Sequence, residues 1–282
     1  MAVQCSLLLV ANPRSGTADP EAVEERLRSA GANLRTASIE RVGETDLEGV
    51  ERVVVCGGDG SIAPVAELAG RAGVPLAVVP SGTANDFARA HGLPADLDEA
   101  CALALGGERL ERLDLGRVDG RPFVNVASAG LPPEAAREAR GFKAALGPLA
   151  YAVGALRAGL TATALDCTLT CDGGVVHRGP AWQVTVACSG AFGGGASVGA
   201  DPADGRLDVV AIPAGSRLAL AWRGFGLRSG RVERQEGVQS ARCREAALDA
   251  GGGFSMNVDG EVCEFGPASF TVEPAAFELV TG

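Results

Sequence analysis

The chain has no surplus of positive charge. Lys and Arg number 25 against 35 Asp and Glu, for a formal charge of −10 over 282 residues. A protein that grips nucleic acid needs a cationic face for the phosphates, so this balance argues against that class. It argues equally against broad electrostatic adhesion to anionic membranes. Histidine is scarce, with only His91 and His177, and none of the eight cysteines forms a Cys-x-x-Cys pair. Cys167 and Cys171 would share one face of a strand, but two thiols do not make a zinc site. Thiols scattered as small apolar residues fit a reducing cytoplasm. No basic leader precedes the apolar stretch Gln4–Val10, so no signal peptide is read there. Aromatic residues make up 4% of a chain that is 46% apolar, which reads as globular rather than disordered. The longest uncharged run, Gly179–Ala200, could span a bilayer by length alone. It begins with strand alternation at Trp182–Val186 and ends in Gly193-Gly194-Gly195, so it reads as a buried strand followed by a glycine loop. No transmembrane segment and no internal repeat is expected.

What is abundant is glycine, with 40 residues. Two glycine-bearing turns stand out: Cys56-Gly57-Gly58-Asp59-Gly60-Ser61 and Pro80-Ser81-Gly82-Thr83-Ala84-Asn85-Asp86-Phe87. Each follows a short β-branched apolar run and precedes a helix signal. Such turns present bare backbone N–H groups at a helix N-terminus, which suits phosphate. Turns from neighbouring parallel strands would face one crevice. Asp59 adds a carboxylate where a phosphate-bound Mg²⁺ could sit. Thr83, Asn85 and Asp86 offer more polar groups than one N-cap explains. Two further Asp-Gly turns, Asp201-Pro202-Ala203-Asp204-Gly205-Arg206 and Asn257-Val258-Asp259-Gly260-Glu261, read as hairpin or loop signals. The first could hold a cation through oxygen ligands.

The first 117 residues alternate strand and helix signals, predicting a mostly parallel, doubly wound sheet covered on both faces. Residues 118–275 carry short strands typical of an antiparallel β-sandwich. Helical insertions are expected at Glu134–Leu160 and Arg217–Ser229. Seven arginines from Arg217 to Arg244 face only Glu233 and Glu236, as a solvated face or a patch for lipid head groups.

Taken in order, these motifs resemble the catalytic superfamily of diacylglycerol kinases, which includes soluble bacterial lipid kinases and the sphingosine and ceramide kinases. The likeness rests on Asn12-Pro13-Arg14-Ser15-Gly16, the two turns, Leu113-Asp114-Leu115-Gly116, Phe192-Gly193-Gly194-Gly195, Asp204-Gly205-Arg206-Leu207-Asp208 and Asp259-Gly260-Glu261. The resemblance implies an N-terminal α/β nucleotide-binding domain like that of NAD kinases and phosphofructokinases, and a C-terminal β-sandwich. The last strand, 276–282, could return to the first domain. It implies ATP and Mg²⁺ as cofactors, with Asn12, Gly57, Gly58, Asp59, Gly60, Ser61, Gly82, Thr83, Asn85 and Asp86 toward the nucleotide. It implies Glu261 as the proton acceptor for a lipid hydroxyl, with Asp59 the alternative from the sphingosine-kinase branch. Asp204, Asp201 and Arg206 would match a structural Mg²⁺ site. The partners implied are ATP and a lipid at the membrane surface, with the protein cytoplasmic or peripheral at the inner face and a homodimer left open. Ala63 and Pro64 depart from the family's usual Asn-Glu pair. That departure keeps two alternatives: a kinase of a non-lipid small molecule, and a catalytically silent lipid-binding or regulatory protein.

Overall fold

The computed structural model of the chain describes residues 5–12, 20–130, 163–189, 191–192, 196–197, 199–215 and 237–282. Both expected helical insertions, Pro13–Gly16, Gly193–Gly195 and the arginines from Arg217 to Arg234 lie outside these residues. The N-terminal half alternates as β1 (Ser6–Ala11), α1 (Pro20–Ser29), β2 (Asn33–Ser38), β3 (Arg52–Gly57), α2 (Asp59–Ala72), β4 (Leu76–Pro80), α3 (Asp86–Ala90) and α4 (Leu97–Gly106). A short 3₁₀ turn, Ile39–Glu44, follows β2. The four strands pair in parallel in the order β4-β3-β1-β2.

Alternation along these strands fills two cores. Leu8, Val10, Val53, Val55, Leu76 and Val78 pack with Ile62, Val65 and Ala69 of α2. Their neighbours Leu7, Leu9, Val54, Ala77 and Val79 pack with Val23 and Leu27 of α1 and Ala100 and Ala104 of α4. Both faces are therefore buried, as parallel sheets require. The first helix starts with Pro at its first position, where a missing N–H costs nothing. The second has Pro64 in its interior, so the Gly60 carbonyl gets no i+4 donor.

The chain then adds β5 (Arg109–Val118), β6 (Arg121–Phe123), β7 (Val126–Gly130), β8 (Leu165–Cys171), β9 (Gly174–Ala187), the short pair β10 (Ala191–Phe192) and β11 (Ala196–Ser197), β12 (Leu207–Pro213), β13 (Gln239–Cys243), β14 (Glu245–Asp249), β15 (Phe254–Val258), β16 (Glu261–Phe265) and β17 (Ala268–Thr281). Apart from one parallel contact, Leu279 of β17 with Leu76 of β4, their pairings are antiparallel. Leu169, Val184, Val186, Leu207, Leu248, Met256 and Phe270 meet in one sandwich-like core. An N-terminal α/β half is thus joined to an antiparallel, sandwich-like C-terminal half.

The long pair β5–β17 connects the halves. β17 pairs with β14 on one side and runs on to meet β4. Its register breaks between Glu273 and Phe277. There the buried Asp114 accepts from the Ala275 N–H at 2.8 Å and from the Gly205 N–H at 2.6 Å. The Leu113-Asp114-Leu115-Gly116 motif is thus explained by tying, with Asp114 holding the break in β17 to the Asp204 loop.

The apolar run Phe123–Val126 does not form one strand: β6 and β7 are separated at residues 124–125. A regular strand points successive N–H groups to opposite sides, whereas the N–H groups of Val124, Asn125 and Val126 all turn to one carboxylate, that of Asp259. β13 and β14 are likewise separated only at residue 244.

Candidate active site

After β1 the chain moves to one side of that strand to form β2, then to the other side to form β3. The order therefore reverses between β1 and β3, and the crevice beyond their carboxyl ends is where open α/β sheets take ligands. Asn12 follows β1, and Gly57 ends β3. The Asn12 N–H donates to the Cys56 carbonyl at 3.1 Å, and its side-chain amide donates to Ser61 Oγ at 2.9 Å. The start of the second helix is N-capped by Gly58 without any side-chain bond; the Ser61 N–H donates to the Gly58 carbonyl at 2.9 Å, and the helix start keeps the positive end of its dipole for an anion.

The two glycine turns touch. Ser81 N–H donates to the Gly57 carbonyl at 3.0 Å. A Cβ built on Gly82 would lie 2.6 Å from Gly58 Cα and 2.8 Å from Asn85 Oδ1, so only glycine lets these backbones meet. Asn85, in the left-handed region at φ 48°, folds the turn: its Oδ1 accepts from the Gly82 N–H at 2.8 Å, and its Nδ2 donates to the Gly82 carbonyl at 3.1 Å. Thr83 is exposed, whereas Asp86 is buried and pairs with Arg89.

Asp59 bridges the turns. Its Oδ1 accepts from the Phe87 N–H at 2.9 Å and from Asn125 Nδ2 at 3.4 Å. Burial pushes its carboxyl above the ordinary range, and the Asp86 charge adds to this, while the N–H groups of Phe87 and Asp86 oppose it. Asp259 is buried more deeply. Its Oδ2 takes the Val124 N–H at 2.7 Å, and its Oδ1 takes those of Asn125 and Val126 at 3.0 and 2.9 Å. Burial still dominates and pushes it up to about 7, with the Asp59 charge contributing.

That clasp fixes the tip of the β15–β16 hairpin and so delivers Glu261. A Cβ on Gly60 would lie 3.2 Å from Glu261 Oε1 and 3.4 Å from the Asp259 carbonyl. Glu261 is exposed, and its Oε2 accepts from Arg121 Nη2 at 2.5 Å. Arg121 also donates to Cys263 Sγ at 2.8 Å. Between these groups lies a cavity of about 520 Å³, walled by Asn12, Glu40, Gly60, Ala63, Arg121 and Glu261 among others.

Of the expected residues, Asn12, Gly60 and Glu261 line this cavity, and the rest of the two turns is tied to it through the Gly57–Ser81, Gly58–Gly82 and Asp59–Phe87 contacts. The loop expected to hold Mg²⁺ is bonded differently. Asp201 Oδ1 accepts from the Ala203 N–H at 3.1 Å, and Asp204 Oδ1 accepts from the Arg206 N–H at 3.0 Å. The other Asp204 oxygen is paired with Arg242, which also reaches Asp208. A guanidinium on the carboxylate does not fit a cation site. Among the described residues, no group of three or more His, Cys, Asp or Glu side chains is arranged to hold a metal. No helix among those residues is long and apolar enough to cross a membrane.

Sequence reasoning missed Asn125 and Arg121, and read Asp259 only as a turn. Asn125 left a signal: a polar residue inside the apolar run Phe123–Val126 needs a buried partner. Arg121 left none, because its partner Glu261 is 140 positions away.

Residues 6–118 match the diacylglycerol kinase catalytic domain, and residues 125–281 match the YegS C-terminal NAD kinase beta sandwich-like domain. A Pseudomonas aeruginosa protein named "Probable lipid kinase YegS-like" is 31% identical over 97% of this chain and 93% of its own. A Pseudomonas putida protein of the same name is 30% identical over 92% of this chain and 91% of its own. The fold is also that of a structure described as a diacylglycerol kinase from Bacillus anthracis str. Sterne. That match has a TM-score of 0.77 at 21% identity and covers 98% of this chain and 97% of the other. An α/β half with a crevice at its strand reversal, closed by a sandwich-like half that reaches in with a carboxylate, is the architecture of a kinase-type phosphotransferase. The chain belongs to the family of kinases that joins the diacylglycerol kinase catalytic domain to the YegS C-terminal domain.

Proposed function

We propose that the protein transfers the γ-phosphate of ATP to the hydroxyl of diacylglycerol or a related lipid alcohol. The observation that carries this reading is Glu261 beside Gly60, at the start of the second helix, in the crevice of the strand reversal. Phosphoryl transfer needs positioning and charge stabilisation more than covalent chemistry. The glycine turn Gly57–Gly60 and the helix start would hold the phosphates, and Asn12, Ser61 and Thr83 would contact them through their side chains. Glu261 would take the hydroxyl proton as general base. Its exposure favours it over Asp59, whose Oδ1 already takes the Phe87 N–H and the Asn125 amide. Asp59 then serves to hold the two turns together. Glu40, in the 3₁₀ turn two residues past β2, would accept from the ribose, as acidic residues near that place do in dinucleotide sites.

The nucleotide is taken as its magnesium complex, the ordinary form of ATP in solution, and the Asp204 loop keeps a structural role. Residues 1–117 with the returning strand 276–282 form the nucleotide half in this reading, and 118–275 the acceptor half. The acceptor is met at a membrane surface. Ala63 and Pro64 give the cavity an apolar wall where the family's polar pair would be, which suits a lipid better than a polyol. The test is incubation of the purified protein with γ-labelled ATP and magnesium, against a panel of dispersed lipid alcohols and a panel of soluble polyols. Label should appear in lipid. Label only in a polyol would move the acceptor class, and label in neither would remove the kinase reading.

A further inference from the structure

Three strands of the molecule meet at Asn125. It is buried, with 3% of its surface exposed. Its backbone N–H is the middle one of the three that clasp Asp259. Its carbonyl accepts from the Cys188 N–H at 2.8 Å and from the Ser189 N–H at 3.3 Å. Its side chain has a partner at each end: Nδ2 donates to Asp59 Oδ1, and Oδ1 accepts from Ser189 Oγ at 2.8 Å.

The chemistry of these partners fixes the amide. Asp59 Oδ1 already accepts from the Phe87 N–H, so it is an acceptor oxygen and the NH₂ group is the end of the amide that suits it. The oxygen then faces away, and the Ser189 hydroxyl is the donor that meets it. Asp59 therefore selects which end of the amide faces it, and Ser189, whose hydroxyl can donate or accept, braces the far end. Three successive N–H groups around one carboxylate form a nest of the kind that binds anions. That nest sets the hairpin tip two residues before Glu261. One residue therefore sets both carboxylate-bearing elements of the crevice. Through its side chain it sets Asp59, which joins the two phosphate turns, and through its backbone it sets the hairpin of Glu261.

We propose that Asn125 is a positioning residue for phosphoryl transfer, braced by Ser189, and that it aligns the start of the second helix with Glu261. It touches neither nucleotide nor acceptor. This inference rests on the kinase reading above. Its signature is a loss in turnover without a loss in nucleotide affinity, because a misplacement of about 1 Å at reacting groups can cost about 100-fold in rate.

The test compares Asn125→Ala, Ser189→Ala and Ser189→Thr with the parent, using ATP and the lipid acceptor that the parent uses. Turnover number, KM for ATP and melting temperature are measured for each. Asn125→Ala should lower kcat about 100-fold, with KM for ATP within about twofold of the parent. Ser189→Ala deletes a single hydrogen bond and should lower kcat about tenfold. Ser189→Thr, which keeps the hydroxyl, should restore it. Should Asn125→Ala fail to fold, the serine pair decides. Parental kcat in Ser189→Ala, or equal loss in Ser189→Ala and Ser189→Thr, overturns the inference and leaves the kinase reading standing. A parent inert on every acceptor overturns both.

Discussion

Two Asp-Gly turns in the C-terminal half, at Asp204-Gly205 and Asp259-Gly260, look alike in sequence and serve opposite ends. In the first, the carboxylates of Asp201 and Asp204 are spent on N–H groups of their own loop and on Arg242. Asp114 ties that loop to the break in β17. In the second, the aspartate is buried in a nest from another strand, and the next acidic residue, Glu261, is left exposed beside Gly60. An Asp-Gly turn becomes a chemical site when something else holds the aspartate and the chain then presents a second acid. A turn whose acids bond to itself is a strut.

The substitution that separates the turns most sharply is Glu261→Gln. Loss of a general base costs about 10²- to 10⁴-fold in rate, so kcat should fall by that range while circular dichroism and melting temperature stay parental. Equal turnover would strip the second turn of its special status. Gly82→Ala comes next. The added methyl would lie 2.6 Å from Gly58 Cα, and overpacking of this kind costs about 1–3 kcal/mol. Chemical denaturation should show that loss, and ATP affinity should fall with it, because the two phosphate turns are pushed apart.

Asp259→Asn keeps one acceptor oxygen for the Asn125 and Val126 N–H groups but sets an NH₂ donor against the Val124 N–H, and leaving such a buried donor unsatisfied costs about 1–3 kcal/mol. It also carries a pH signature. In the folded protein Asp259 is raised from 3.8 to about 7, so folding favours its neutral form. The stability this contributes is complete below about 3.8 and is lost as pH rises through about 7. The melting temperature of the parent should therefore fall across that window relative to Asp259→Asn. A constant difference between the two would contradict the burial argument. The smallest effect belongs to the other turn. Asp204→Asn breaks a pair whose arginine is about half exposed, and such surface pairs are worth about 0–1 kcal/mol. Turnover should stay within about twofold. A loss of activity reversed by high magnesium would return that loop to the role of a cation site.

The phosphate turns were legible in the sequence because every part of their signal is local: an apolar run, glycines, then a helix start. The alternation of strand and helix signals over the first 117 residues likewise announced a parallel sheet buried on both faces, and the continuous apolar runs Leu7–Val10 and Val53–Cys56 fit such burial. The parallel and antiparallel halves followed from the change in strand spacing near Gly116. What stayed hidden depends on long-range pairing. Residues 124–125 break a strand because Asp259, 134 positions away from Asn125, draws three N–H groups to one side. Arg242 reaches Asp204 across 38 positions, and no local pattern distinguishes that loop from a cation loop. Pro64 was visible, but its place inside a helix beside the cavity depends on that helix starting within the glycine turn, at Asp59.

The most direct test of the central claim is a crystal structure of the protein with a non-hydrolysable ATP analogue and magnesium. The triphosphate should lie in the crevice between Asn12, the glycine turn Gly57–Gly60 and the Gly82 turn, with Glu261 facing the γ-phosphate. Nucleotide bound elsewhere, or Glu261 turned away from the terminal phosphate, would contradict the account.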